Sequence, residues 1–229
     1  LGEDGIEAVL INTGGGMVGG DRAEHSVSLG RGAAALVTTP AAERIYRTLG
    51  PRSEVHVRLS VGPEARLIWL PQETILYDGA ALARRLDAEV DRTGSVLIAE
   101  VTVLGRLAMG ETLRRGSYRD TWRVRRGGRL VFAESLALDG DIGELMRRPA
   151  VGGGARVMAT LVHVGPDAAD RLDGVRAALA MAGGEAASSA WNGLLVVRIL
   201  GSSLSAARGY LARIVPLLAG RAMPRMWWT

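Results

Sequence analysis

The chain has 229 residues, of which 48% are apolar and 23% are charged, a composition typical of a globular protein with a sizeable core. It contains no cysteine, which excludes disulfides, cysteine-ligated zinc, iron–sulfur clusters and thiol nucleophiles. All 28 basic residues are arginine and the formal net charge is only +4, so we expect no nucleic-acid partner.

The N-terminal two thirds of the chain indicate β-strands. Apolar and polar residues alternate over 55–59 and 86–90, the pattern of a strand with one buried face. Continuous apolar runs over 96–99 and 157–162 indicate strands that are buried on both faces. Turns that contain glycine and proline separate these segments, and no internal repeat is evident. The pattern therefore predicts a mainly β fold.

An arginine-rich segment surrounds the pair Gly127-Gly128. Two adjacent glycines favour the tight turn of a β-hairpin, because both can adopt positive φ. Nucleic-acid sites usually combine clustered positive charge with interleaved aromatic residues, and we interpret this segment instead as a hairpin tip.

The C-terminal third changes to a helical period. One helix is predicted to begin at Pro166-Asp167 and to end at Gly183-Gly184, and a strand follows over 194–200. A second helix is predicted to begin at Ser202-Ser203. Pro216 should kink or end this helix, because proline lacks an N–H and its ring clashes with the preceding turn.

These patterns predict a single domain over residues 1–229. Its β-rich body covers residues 1–165, and a mixed α/β part with two helices covers residues 166–229. The chain closes on an apolar tail in which Trp227 and Trp228 are the candidates for contact with the chain's own surface or with a partner. No apolar run is long enough to span a membrane, so we expect no membrane association and a cytoplasmic location.

The segment Gly14–Gly19 fits the spacing G-x-G-x-x-G of dinucleotide-binding loops. Such a loop needs a helix directly after it, whose N-terminal N–H groups bind the pyrophosphate. Here Asp21 and an alternating strand follow instead. We therefore interpret the glycines as a tight connection between strands in which the backbone closely approaches another part of the chain.

The three histidines, His25, His56 and His163, are far apart and form none of the short spacings of transition-metal sites. Each is more simply explained as a surface or packed residue. No nucleophile-elbow sequence is present either, so nothing in the sequence indicates an enzyme.

Four acidic residues interrupt apolar segments: Glu43, Glu73, Glu100 and Glu134. A carboxylate among buried strands is costly unless it is paired, hydrogen-bonded or hydrated. Two explanations stay open at this point, an arginine–glutamate structural pair or a polar channel. Oxygen ligands in such a channel would suit transient contact with a divalent cation.

Three segments, taken together and in this order, resemble the urease accessory protein D family, also called UreD or UreH. Their sequences are NTGGGMVGGDR over 12–22, TTPAAERIYR over 38–47 and WLPQETILYDG over 69–79. The closing PRMW over 224–227 supports the resemblance, which extends along nearly the whole chain.

The resemblance implies a non-enzymatic urease maturation factor that binds no cofactor tightly and carries nickel in transit. Family members form a complex with the urease accessory proteins F and G, of which G is a GTPase, and this complex docks on the urease apoprotein to deliver nickel. The implied fold is a mainly β, β-helix-like stack of sheets with two helices toward the C-terminus. Members usually carry a further segment before the Asn-Thr-Gly motif, so the resemblance implies either a truncated product or a misassigned start.

The resemblance also implies an internal, water-filled nickel passage lined by polar and acidic residues. The acids in matching segments are Asp21, Glu43, Glu100 and Glu134, with Glu73 as a further candidate. The alternative is an adaptor that bridges urease to the proteins F and G without conducting metal.

Overall fold

The computed structural model describes residues 5–181 and 185–228, which form two stacked β-sheets and a helical layer. The strands are β1 Ile6–Val9, β2 Arg22–Leu29, β3 Ala34–Thr38, β4 Glu43–Ile45, β5 Ser53–Val61, β6 Arg66–Leu70, β7 Thr74–Leu76, β8 Ala81–Val90, β9 Ser95–Leu104, β10 Gly116–Arg126, β11 Arg129–Gly140, β12 Val157–Val164, β13 Glu185–Trp191 and β14 Leu194–Gly201. The α-helices are α1 Ile142–Arg147, α2 Leu172–Ala180 and α3 Leu204–Ala219.

The chain passes back and forth between the two sheets. Sheet A has nine strands in the order β1-β3-β6-β9-β12-β14-β13, and β7 joins it beside β9 with β4 beside β7. Sheet B has five strands in the order β11-β10-β8-β5-β2. From β5 to β10 each strand lies parallel to a strand one coil earlier, so that Arg66 pairs with Ala34 and Ser95 pairs with Arg66. The predicted β-helix-like stack is therefore confirmed. The coils are a structural repeat that the residue types did not reveal.

The side chains that point from the two sheets toward each other form a hydrophobic core between the sheets. In β8 the predicted alternation buries Leu86, Ala88 and Val90, while Asp87 and Glu89 between them point outward. Opposite them, Ile98 in β9 contributes to the same core. The alternation thus marks strands with one buried face, as predicted.

Sheet A is covered on its outer face as well, by α2 and α3. In β12, Leu161 packs toward the helices, whereas the next residue, Val162, packs between the sheets. In β9, Ala99 likewise packs toward the helices, whereas Ile98 packs between the sheets. Burial on both faces explains why these strands have continuous apolar sequences.

The helices differ from the prediction in their bounds. Residues 166–171 form turns, and helix α2 begins only at Leu172, six residues later than predicted. The predicted end of this helix at Gly183-Gly184 lies outside the described residues. Helix α3 begins after Ser203, whose side chain accepts a hydrogen bond from the Ala206 N–H at 3.3 Å. Within residues 5–181 and 185–228, no helix has both the length and the apolar character needed to cross a bilayer.

Of the two predicted effects of Pro216, a kink or an end of the helix, the second is wrong, since α3 continues to Ala219. Ile214, Val215 and Leu218 are all buried against sheet A, and this packing holds the last turn despite the missing N–H. Helix α1 and strand β13 were not predicted.

Candidate functional site

A surface groove opens where the glycine-rich loop after β1 meets the loop between β3 and β4. Residues 10–12, 14–17, 21–25 and 39–44 line it, and its volume is about 610 Å³. The loop is held against β4 because the Met17 N–H donates to the Arg44 carbonyl oxygen at 2.7 Å. Strand β2 follows the loop, as the sequence indicated, so the loop is a strand connection.

Gly16 shows why this loop needs glycine. Its φ is +142°, and a Cβ atom there would lie 2.5 Å from the ring of Tyr46 and 2.7 Å from the Arg44 carbonyl oxygen. The Tyr46 hydroxyl in turn donates to the Gly15 carbonyl oxygen at 3.1 Å. The loop is therefore packed closely on the strand behind it, as expected for a close backbone approach.

Two of the predicted acids lie in the groove. Both carboxylate oxygens of Glu43 accept from the Asn12 amide nitrogen, each at 3.0 Å. Asp21 accepts from the Val18 N–H at 2.8 Å. In the part of the chain that the structure describes, neither carboxylate forms an ion pair with an arginine. Both therefore keep oxygen atoms available to a cation.

His25 lies beside Glu43 and borders the groove on its inner side. Burial lowers the pKa of the His25 imidazole, and the nearby Glu43 carboxylate opposes part of that shift. The ring is therefore mainly neutral near pH 7 and has a free nitrogen lone pair. The sequence indicates a surface or packed residue at His25, and in the structure its side chain is half-buried on the same face of β2 as Ala23 and Val27.

A cavity of about 70 Å³ adjoins the groove and lies in the space between the sheets. It shares His25 and Glu43 with the groove and extends inward to Thr74, Arg84 and Glu100. This volume is enough for several water molecules among polar partners.

Glu100 lies at the inner end of this cavity and is only 5% exposed. Its carboxylate accepts from the Arg84 guanidinium at 2.5 Å and from the Trp69 indole N–H at 2.8 Å. Burial raises the pKa of Glu100, and these two donors only partly offset that effect. Asp120, a second buried carboxylate bound to Arg84, was missed in the sequence, although it alternates with buried Tyr118 and Trp122 in β10.

The other two predicted acids lie elsewhere and form ion pairs with arginines. Glu73 faces α3, where Arg208 donates to its carboxylate at 3.0 Å. Glu134 in β11 accepts two hydrogen bonds from Arg198, at 2.7 and 2.6 Å. Neither residue lines the groove or the inner cavity.

The two tail tryptophans have different environments. Trp227 is buried, and its indole N–H is 3.3 Å from both the Thr38 hydroxyl and the Leu70 carbonyl oxygen. Trp228 is 69% exposed. Of the two, only Trp228 is accessible to a partner on the surface of the chain.

The described residues contain no group of three or more histidine, aspartate or glutamate side chains arranged to hold a metal ion. The groove and cavity instead present ligands one or two at a time, at Asp21, at Glu43 with His25, and at Glu100. Such an arrangement can contact a cation weakly and release it, but it does not form a high-affinity cage.

The family model that matches this chain and the similar proteins described here carry the same family name. The family model described as "UreD urease accessory protein" matches residues 2–228. A "Urease accessory protein UreD" of Methylobacterium sp. (strain 4-46) is 50% identical over 98% of this chain and 81% of its own length. A "Urease accessory protein UreD 2" of Methylorubrum populi is 51% identical over 97% of this chain and 75% of its own. The corresponding protein of Xanthobacter autotrophicus is 46% identical over 100% and 79%.

Proposed function

The chain belongs to the UreD family of urease accessory proteins, and from this premise we propose that it passes nickel ions to the urease apoprotein through the groove and cavity described above. In this proposal the protein is not an enzyme, and nickel is its cargo. It works in the cytoplasm in a complex with the urease accessory proteins F and G. Exposed Trp228 is the residue that we expect at a partner interface.

The observation that supports the proposal is that the groove and the cavity share lining residues. Glu43 and His25 line both, so an ion bound at the surface has neighbouring ligands on the way inward. Carboxylate oxygen and neutral imidazole nitrogen are both ligands that nickel accepts. Because the ligands come singly or in pairs, the ion is not trapped between steps.

An adaptor without metal transfer is the second candidate function, and arginine pairing favours it. Glu73, Glu100 and Glu134 each form an ion pair with an arginine. A carboxylate that is already neutralised offers little to a passing cation. The two functions differ in whether the acids of the groove and cavity are needed.

The experiment is co-expression of the chain with urease and its accessory proteins. We expect Glu43→Gln and Glu100→Gln each to lower the nickel content per urease active site several-fold, because each removes a negative charge at constant size. Metal analysis of purified urease measures the loading, and co-purification shows whether the complex still forms.

Glu144→Gln is the matched control, since Glu144 is exposed on α1 and lies outside the groove and cavity. Glu134→Gln tests whether that more distant acid also takes part. Normal nickel loading with both Glu43→Gln and Glu100→Gln would contradict nickel transfer and leave the adaptor function.

A further inference from the structure

Three buried charges meet at the inner end of the cavity. Arg84 comes from sheet B and contacts Glu100 of sheet A at 2.5 Å. It also contacts Asp120 on the neighbouring strand, with Nε–Oδ1 and Nη2–Oδ2 distances of 3.0 and 2.5 Å. All three residues are less than 10% exposed. One guanidinium thus bridges two carboxylates and ties the sheets together.

The oxygen atoms around this guanidinium are the kind that bind divalent cations. Besides the two carboxylates, the Tyr118 hydroxyl lies 2.9 Å from Arg84 Nη2, and the Thr102 hydroxyl lies 3.0 Å from that of Tyr118. A divalent cation binds most strongly where carboxylates and further oxygens converge. The guanidinium stands in the middle of such a set, with one positive charge against two negative charges.

The cavity reaches this cluster, since both Arg84 and Glu100 line it. A cation that arrives through the cavity therefore meets Glu100 and the guanidinium together. The guanidinium repels the cation and already holds Glu100, while Asp120 lies behind Arg84 and does not line the cavity.

We propose that Arg84 acts as a tethered cation, which fills the position between Glu100 and Asp120 and so prevents a metal ion from being trapped there. Arg84 is a positioning residue in this proposal, because it sets how strongly Glu100 can bind an ion. The proposal rests on the proposed function only for the identity of the ion, nickel.

Direct binding of nickel chloride to the purified full chain tests the proposal by calorimetry. We expect Arg84→Ala to gain one nickel site that is about 100-fold tighter than any site in the unaltered chain, because two carboxylates then converge on the vacated position. Arg84→Lys keeps a positive charge and should not gain the site. Arg84→Ala with Glu100→Gln should lose the gain. Nickel binding by Arg84→Ala no tighter than that of the unaltered chain would overturn the proposal.

Removing Arg84 also leaves two uncompensated buried carboxylates, which can prevent folding. Refolding with and without nickel covers that case. We expect nickel to rescue folding of Arg84→Ala or to raise its melting temperature by several degrees, with no such effect on the unaltered chain. The variant Arg84→Met/Glu100→Gln/Asp120→Asn has no charge in the cluster but keeps side chains of similar size. It shows whether the chain folds without these charges. If that variant folds while nickel fails to rescue Arg84→Ala, the proposal is wrong.

These measurements are independent of urease. If the chain were only an adaptor, Arg84→Ala would still gain its nickel site, whereas Glu43→Gln and Glu100→Gln would leave urease loading normal. If nickel transfer takes place but Arg84 is an ordinary structural arginine, urease loading would fall with the acid variants and no tight site would appear. The two proposals can thus fail separately.

Discussion

The neighbours of a carboxylate decide whether it stabilises this fold. Asp78 accepts hydrogen bonds from the backbone N–H groups of Arg114 and Arg115 at 2.8 and 3.0 Å, and from the Arg114 guanidinium at 2.7 Å. Burial acts to raise the pKa of Asp78, but these donors outweigh it and the pKa is lowered. Asp78 therefore fastens the segment before β10 to the turn after β7, most strongly when it is ionised.

We expect Asp78→Asn to lower the free energy of unfolding by about 1 kcal/mol at pH 7, because an amide accepts these hydrogen bonds more weakly. The folded-state pKa of Asp78 lies below its unfolded value, so its stabilisation is present at neutral pH and is lost as pH falls through the folded-state value. Urea denaturation at several pH values measures this effect. The difference between the variant and the unaltered chain should shrink below about pH 4.

Asp173→Asn is the control for this prediction, since the Asp173 side chain is 97% exposed and lies 4.0 Å from Arg176. Its effect should stay below about 0.5 kcal/mol at every pH, because an exposed carboxylate in the first turn of α2 contributes little. A difference for Asp78→Asn that stays constant down to pH 3 would contradict the proposed role of ionised Asp78.

Local patterns in the sequence predict those elements whose environment is set by their own residues. The alternation in β5 and β8 and the apolar runs of β9 and β12 specify one or two buried faces. The hairpin between β10 and β11 was equally predictable, because Gly127 and Gly128 have φ values of +54° and +78°, which favour glycine.

The cluster at the inner end of the cavity could not be predicted in this way. Arg84, Glu100 and Asp120 lie on three different strands, and only the stacking of coils brings them together. Strand β13 was not predicted because the residues on its inner face are small or polar and only half-buried, so the sequence shows no apolar alternation there. Such features depend on register between distant segments, which composition and period do not encode.

Pro216 lies inside α3, where a proline should lower the stability of the helix. Proline in a helix interior removes one hydrogen bond and strains the preceding turn, at a cost of about 3 kcal/mol. Part of that cost is recovered because proline restricts the unfolded chain. We therefore expect Pro216→Ala to raise the free energy of unfolding by about 1–2 kcal/mol, measured by urea denaturation.

A second change in the same helix provides the comparison. Gly209→Ala has open space around the added methyl group and should stabilise α3 by about 1 kcal/mol through helix propensity alone. A fall in stability for Pro216→Ala, with the expected rise for Gly209→Ala, would show that the packing of α3 requires the proline geometry.

Sheet A joins the two sides of the molecule. Its strands carry alternate side chains into the core between the sheets and into the core under the helices, as Ile98 and Ala99 do in β9. Helices α2 and α3 therefore cannot separate from sheet A without exposing a face of the same strands that hold sheet B. This arrangement favours cooperative unfolding of the whole chain.

Leu211→Ala tests that cooperativity from the helical side. Leu211 is fully buried against sheet A, so we expect its truncation to lower the free energy of unfolding by about 2–5 kcal/mol. Leu217→Ala in the same helix is the control, because Leu217 is 43% exposed and should cost much less. Far-ultraviolet circular dichroism follows the strands and helices, whereas fluorescence reports all five tryptophans, of which Trp69 and Trp122 lie between the sheets and Trp227 packs in the core under the helices. If the chain is one cooperative unit, both probes should shift together to a lower urea midpoint. A loss of helix signal that precedes the fluorescence change would show that the C-terminal helices unfold separately and that the β-rich body is stable without them.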